Sequence, residues 1–123
     1  MKKFILLALS VGAISAAAPA LAHHSYAMFD AQQNKKLDGV VQDFKWTNPH
    51  SYIELLVIED NGPPQKWGVE CGSPAQLVKA GWRSTTLKPG DHVIITIHPL
   101  RGGERGGSFV QVHTADGREL KGS

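Results

Sequence analysis

One short helix, with both of its ends marked in the sequence, constrains this chain of 123 residues most strongly. Ser73 can cap the helix N-terminus, Pro74 takes the first helical position, and Gln76 lies three residues after the cap, which is a capping box. Gly81 suits the left-handed position that follows a helix. These signals predict a helix over 74–80, which is too short to be stable without packing against the rest of the domain.

Five segments with β-strand patterns surround this helix, three before it and two after it. They are rich in β-branched and aromatic residues or alternate between apolar and polar side chains, and turn sequences separate them. In the first segment, Gly39 and the pair Val40-Val41 interrupt the alternation, which predicts a bulge in a long, curved strand. The predicted strands cover 35–46, 52–59, 65–71, 92–100 and 108–114.

Three strands, a helix and two further strands, in this order, are typical of an OB-fold, a five-stranded Greek-key barrel. A long first strand fits that fold, because the first strand must pair on both sides of the barrel. A small open sheet with one helix is the alternative. We favour an all-β fold with one short helix, namely a five-stranded OB-fold-like barrel with the helix between strands 3 and 4.

Residues 1–22 have the organisation of a secretory signal peptide. Two lysines precede an apolar run over 4–18, and the Ala-Leu-Ala sequence that ends at Ala22 is a small-x-small cleavage site. The apolar run is short for a membrane span, which needs about 20 residues. We therefore expect a soluble protein that is exported to the periplasm, begins at His23 and is not inserted in a membrane after cleavage.

Removal of this segment changes the charge of the protein. The full chain has 13 Lys and Arg against 11 Asp and Glu, and the loss of two lysines leaves 11 of each sign. A formally neutral domain has no cationic footprint for nucleic acid, so we expect no nucleic-acid partner. The mature chain would form one small domain, with an N-terminal arm over 23–34 and the barrel over 35–123.

Six histidines are the main chemical feature of so small a domain. His23 and His24 would open the mature chain, while His50 and His98 each stand next to a proline near a strand end. In an OB-fold the loops after strands one and four flank the same binding face, so His50 and His98 should approach one another. By contrast, we expect His92 to be a surface residue and His113 an ordinary strand residue.

Cleavage after Ala22 would give His23 a free α-amine beside its own imidazole, and these two groups can chelate one ion. Nitrogen ligands of this kind favour copper over other divalent first-row metals. His23, His24, His50 and His98 are therefore the candidate ligands of a transition metal, with copper as the possible cofactor. The alternative is a metal-free module that binds an unknown partner protein or small ligand on the barrel face, with its arm packed for stability through Tyr26, Met28 and Phe29.

Signals of catalysis are weak, so a binding or accessory role carries more weight than an enzymatic one, and no catalytic residue is assigned. The serines have no nucleophile-elbow or triad context. The glycine-rich loop over 101–107 lacks the Lys-Ser/Thr pair of a phosphate loop. Cys71, the single cysteine, cannot form an internal disulfide, and its position on the face of Trp67 and Val69 predicts a buried, inert thiol.

Short stretches along the whole mature chain match a known pattern. They are HHSYAMFD at 23–30, Gly39-Val40, WTNPH at 46–50, Trp67 with Glu70, Gly72-Ser73-Pro74, Gly81-Trp82, LKPGD at 87–91 and His98-Pro99. On these residues the chain resembles domain-of-unknown-function family 6152, a family of small exported bacterial proteins. The resemblance implies export and a small β domain, and it supplies no activity, substrate or cofactor. Cys71 beside Glu70 departs from the family pattern, which argues against a mechanism built on the thiol.

Overall fold

The computed structural model describes residues 26–122. The segment 1–22, interpreted above as a signal peptide, lies outside the described residues, as do His23 and His24. Their assignments therefore stay predictions. Among the residues that are described, no helix is both long and apolar enough to cross a membrane.

The described part of the chain contains six strands and a short helix. They are β1 (Lys35–Lys45), β2 (Tyr52–Ile58), β3 (Pro64–Glu70), α1 (Pro74–Lys79), β4 (His92–Pro99), β5 (Gly106–Thr114) and β6 (Glu119–Lys121). The five predicted strands are all present, with ends within two residues of the predicted ones. No strand is predicted after the turn at Gly117, so β6 is an addition to the five predicted strands.

The first five strands close into a barrel. β1 pairs with β2 and with β4, β2 pairs with β3, and β4 pairs with β5, all antiparallel. A parallel pairing of β3 with β5 closes the ring, and the helix lies between β3 and β4 in the chain. The prediction of a five-stranded OB-fold-like barrel is therefore confirmed.

The bulge predicted in β1 is present just after the valine pair, where the register with β2 shifts between Val41 and Asp43. Gly39 has a different reason to be a glycine. A Cβ atom at Gly39 would lie 2.6 Å from the carbonyl oxygen of Leu56 in β2. The absence of a side chain at this position therefore lets the two backbones approach closely.

The barrel interior is filled by the inward-facing apolar residues of the strands, and α1 adds Leu77. Trp82, just after the helix, is fully buried, and its ring centroid lies 5.9 Å from that of Phe44 and 5.2 Å from that of Phe109. The Trp82 indole N–H donates to the carbonyl oxygen of Lys121 at 3.0 Å. One side chain thus connects the helix with β1, β5 and β6.

Both helix ends have the predicted caps. Ser73 Oγ accepts from the Gln76 backbone N–H at 3.3 Å, and Gln76 Oε1 accepts from the Ser73 backbone N–H at 2.9 Å. Gly81 has a φ of 92°, and the next residue, Trp82, donates its backbone N–H to the carbonyl of Leu77 at 2.9 Å. This pattern is a Schellman motif.

The described part of the arm crosses one end of the barrel beside the end of β4. Phe29 forms an isolated antiparallel bridge with Leu100, and Asp30 N–H donates to the carbonyl of Pro99 at 2.8 Å. Phe29 is 7% exposed, so its ring anchors the arm as predicted. Tyr26 and Met28, however, are 69% and 49% exposed, so these two side chains do not anchor it.

Candidate functional site

A cleft of about 270 Å³ lies where the arm crosses the end of the barrel. His50, from the loop between β1 and β2, and His98, from the end of β4, both line this cleft, and Tyr26 and Phe29 line it from the arm. The fold therefore brings the two rim histidines to one place, as expected for these loops of an OB-fold. Their role as metal ligands stays a prediction.

The ring of His50 is held by the end of β3. His50 follows Pro49, whose bond to Asn48 is cis, and its Nδ1 lies 3.1 Å from the carbonyl oxygen of Cys71. A carbonyl oxygen can only accept, so Nδ1 carries the proton and donates. In the neutral ring this leaves the lone pair on Nε2.

The ring of His98 is held in the same way by the arm. Its Nδ1 lies 2.8 Å from the carbonyl oxygen of Gln33, so Nδ1 again carries the proton and Nε2 keeps the lone pair of the neutral ring. No local pattern predicts this bond, since its two partners are 65 positions apart.

Histidines that bind metal typically donate their second ring N–H to a carbonyl or a carboxylate, which fixes the ring and its tautomer. His50 and His98 both have this arrangement. Within residues 26–122, however, no group of three or more His, Cys, Asp or Glu is placed to hold a metal ion. A metal bound by both histidines would therefore need further ligands from beyond this range or from solvent.

Glu70 is a second charged group beside His50. Its Oε1 lies 3.5 Å from His50 Nδ1, and its Oε2 accepts from the Tyr52 hydroxyl at 2.9 Å. Burial, and then the hydrogen bond and charge of Glu70, raise the pKa of Tyr52 to about 12. The sequence analysis assigns no role in the site to Glu70, although Tyr52 and Glu70 face one another in the β2–β3 hairpin and could have been paired from it.

The Cys71 thiol is buried, as predicted, and burial raises its pKa well above the ordinary value. Its Sγ lies 3.8 Å from the carbonyl oxygen of Val69. Cys71 therefore contributes to the cleft through its backbone carbonyl group, which accepts from His50, and its thiol is inert in the folded state.

The two remaining described histidines lie away from the cleft. His92 Nε2 is 2.6 Å from Asp38 Oδ1 on the exposed face of β1 and β4, and His113 Nε2 is 3.1 Å from the side-chain nitrogen of Gln111. These positions agree with the expectation that both histidines are ordinary surface and strand residues.

A larger and more open groove of about 670 Å³ lies on the other side of the arm. Lys35, Lys36 and Arg101 line it with Asp30, whose Oδ1 is 3.6 Å from Arg101 Nη2. The described lining of this groove contains no histidine or cysteine, so we place the candidate site in the smaller cleft that His50 and His98 line.

Comparison with curated proteins and with solved structures finds no match for this chain. The model of one protein family matches residues 11–110, which is most of the chain. The matched range contains all four candidate histidines, and it extends from before the arm into β5. The chain therefore belongs to the family of unknown function DUF6152.

Proposed function

We propose that this protein is a small periplasmic binding protein that holds a transition metal, namely Cu(II), in the cleft under its arm. The observation that supports this function is the position and the hydrogen bonding of the His50 and His98 rings. Both rings line one cleft, and both donate from Nδ1 to a backbone carbonyl, so that both Nε2 atoms are available as ligands.

The start of the mature chain would supply the other ligands. Tyr26 lines the cleft, and His24 and His23 precede it by two and three residues. An extended chain advances by at most about 3.6 Å per residue, so covalent geometry keeps the Cα atom of His23 within about 11 Å of that of Tyr26. The amine and imidazole of His23 can therefore reach the cleft, and with His50 and His98 they form a nitrogen-rich set suited to copper.

Processing is the first test, because the amine ligand exists only after cleavage. We expect the protein recovered from the periplasm to begin at His23, and mass spectrometry of the intact protein measures this directly. A retained leader, or cleavage several residues from Ala22, would remove the amine ligand from the proposed site.

The second test is a Cu(II) titration of the mature protein, followed by electron paramagnetic resonance. We expect His50→Ala and His98→Ala to weaken binding by at least about tenfold each and to change the nitrogen hyperfine pattern. A form with extra residues before His23 should lose the amine ligand with a similar effect. His92→Ala is the matched control, since His92 is exposed and lies outside the cleft. Equal affinities and identical spectra in all these forms would rule the site out.

A metal-free interaction module is the second candidate, and the exposure of the arm supports it. Tyr26 and Met28 are largely exposed on either side of the buried Phe29, and they could contact a partner protein or a small ligand. The same titration separates the two candidates, because this second function predicts no stoichiometric Cu(II) binding by the mature protein.

A further inference from the structure

We infer that Glu70 is a positioning residue for the metal site: its carboxylate, held by Tyr52, acts together with the Cys71 carbonyl to keep the His50 ring protonated at Nδ1 and turned so that Nε2 is free to bind. This inference rests on the proposed function and names the group that orients one of its proposed metal ligands. Glu70 itself would not touch the metal.

The β2–β3 hairpin places the three side chains in a row. Tyr52 and Glu70 are directly opposite one another in the antiparallel register, and the Tyr52 hydroxyl donates to Glu70 Oε2 at 2.9 Å. This bond leaves Glu70 Oε1 at 3.5 Å from His50 Nδ1. Nδ1 therefore faces two acceptors, since the carbonyl oxygen of Cys71 lies 3.1 Å away.

Glu70 is not placed to share a metal ion with His50. It lies beside Nδ1, whereas a metal bound by His50 would sit at Nε2, on the far edge of the imidazole. A carboxylate in this position orients the ring and helps to fix its tautomer.

The environment makes this interaction specific to His50. The side chains of His50 and Glu70 are 33% and 20% exposed, so water and salt screen their interaction less than they screen exposed surface pairs. Within residues 26–122, the one partner of His98 Nδ1 is the neutral carbonyl of Gln33. Loss of the Glu70 charge should therefore affect His50 and leave His98 unchanged.

A double-mutant cycle in the Cu(II) titration tests whether Glu70 affects metal binding through His50. We expect Glu70→Gln to weaken Cu(II) binding by about 10–100-fold in the wild-type background, and to have no further effect in His50→Ala. Tyr52→Phe should give a smaller loss, because it removes the group that holds Glu70. Glu54→Gln is the matched control: Glu54 lies in β2, pairs with Lys45 and does not line the cleft. The same loss in both backgrounds, or no loss in either, would overturn the inference.

Imidazole nitrogen NMR of the metal-free protein supplies an independent readout. We expect the neutral His50 ring to be protonated at Nδ1, and Glu70→Gln to change the nitrogen shifts of His50 but not those of His98. Unchanged His50 shifts in Glu70→Gln would contradict the inference. If the wild-type protein binds no Cu(II), the proposed function fails, and this comparison still decides whether Glu70 sets the state of His50.

Discussion

Backbone carbonyl groups decide what the histidine side chains at the cleft can do. The carbonyl of Cys71 accepts from His50 Nδ1 at 3.1 Å, and that of Gln33 accepts from His98 Nδ1 at 2.8 Å. Each neutral ring therefore presents Nε2 as its acceptor. The thiol of Cys71, in contrast, is buried in the core, where the charged form is disfavoured.

This buried thiol predicts a loss of stability at alkaline pH. Burial raises the pKa of Cys71 above its ordinary value of 9.0, so the unfolded chain loses this proton first as the pH rises. The free energy of unfolding is thus unaffected by the ionisation of this thiol below about pH 9. Above that pH it decreases by up to about 1.4 kcal/mol per pH unit. Urea unfolding between about pH 7 and pH 10.5 measures this, with Cys71→Ala as the control. Identical pH slopes for the two proteins would contradict the prediction.

At the scale of the element, α1 shows how a helix of six residues is held in place. Ser73 and Gln76 close its N-terminus, and Gly81 allows the chain to turn back at its C-terminus. A helix of this length is unstable in isolation, so the burial of Leu77 and Trp82 against the barrel supplies most of its stability.

The C-terminal turn of this helix gives the second prediction. Gly81 has a φ of 92°, and apart from Gly81 and its two chain neighbours no described residue has a heavy atom within 4 Å of the position of an added Cβ. Gly81→Ala should therefore destabilise the protein by about 1 kcal/mol through backbone strain alone, and a β-branched residue should cost more. Gly68→Ala is the control, because Gly68 has the same free space without a positive φ. Chemical denaturation measures both variants, and equal effects would exclude strain as the cause.

At the scale of the whole molecule, the arm lines the cleft and holds one of its histidines. Its backbone hydrogen-bonds to the segment after β4, and its Gln33 carbonyl holds His98. Among the arm residues that the structure describes, Phe29 contributes the one ring that is both buried and part of the cleft lining. The geometry of the candidate site therefore depends on whether the arm is docked.

Phe29→Ala tests this dependence. We expect it to lower the free energy of unfolding by about 3 kcal/mol, the low end of the range for Phe→Ala, because the ring lies at the edge of the core. It should also reduce the hydrogen-exchange protection of the Asp30 amide, which bonds to Pro99, and weaken Cu(II) binding. Met28→Ala is the control, since Met28 is 49% exposed on the same arm. Equal protection in the two variants would show that Phe29 does not dock the arm.

The sequence alone determined the elements of this protein and their order in the barrel. Strand alternation, the turn residues and the caps at Ser73 and Gly81 are local signals, each set by residues a few positions apart. The order of three strands, a helix and two strands then favoured one known barrel, which also placed His50 and His98 on the same rim. The same local signals could not find β6, whose three residues form a strand only because β5 pairs with them and Trp82 holds Lys121.

The tertiary structure decided which ring nitrogens of His50 and His98 carry the proton and which groups hold the two rings. The Nδ1 partners of His50 and His98 lie 21 and 65 positions away, and they are backbone carbonyl groups, which every residue has. No residue type therefore marks them in the sequence. The contact between Glu70 and His50, 20 positions apart, likewise depends on how the loop after β1 lies against the end of β3. Such contacts follow from barrel closure and arm docking, because only these long-range pairings bring the groups next to one another.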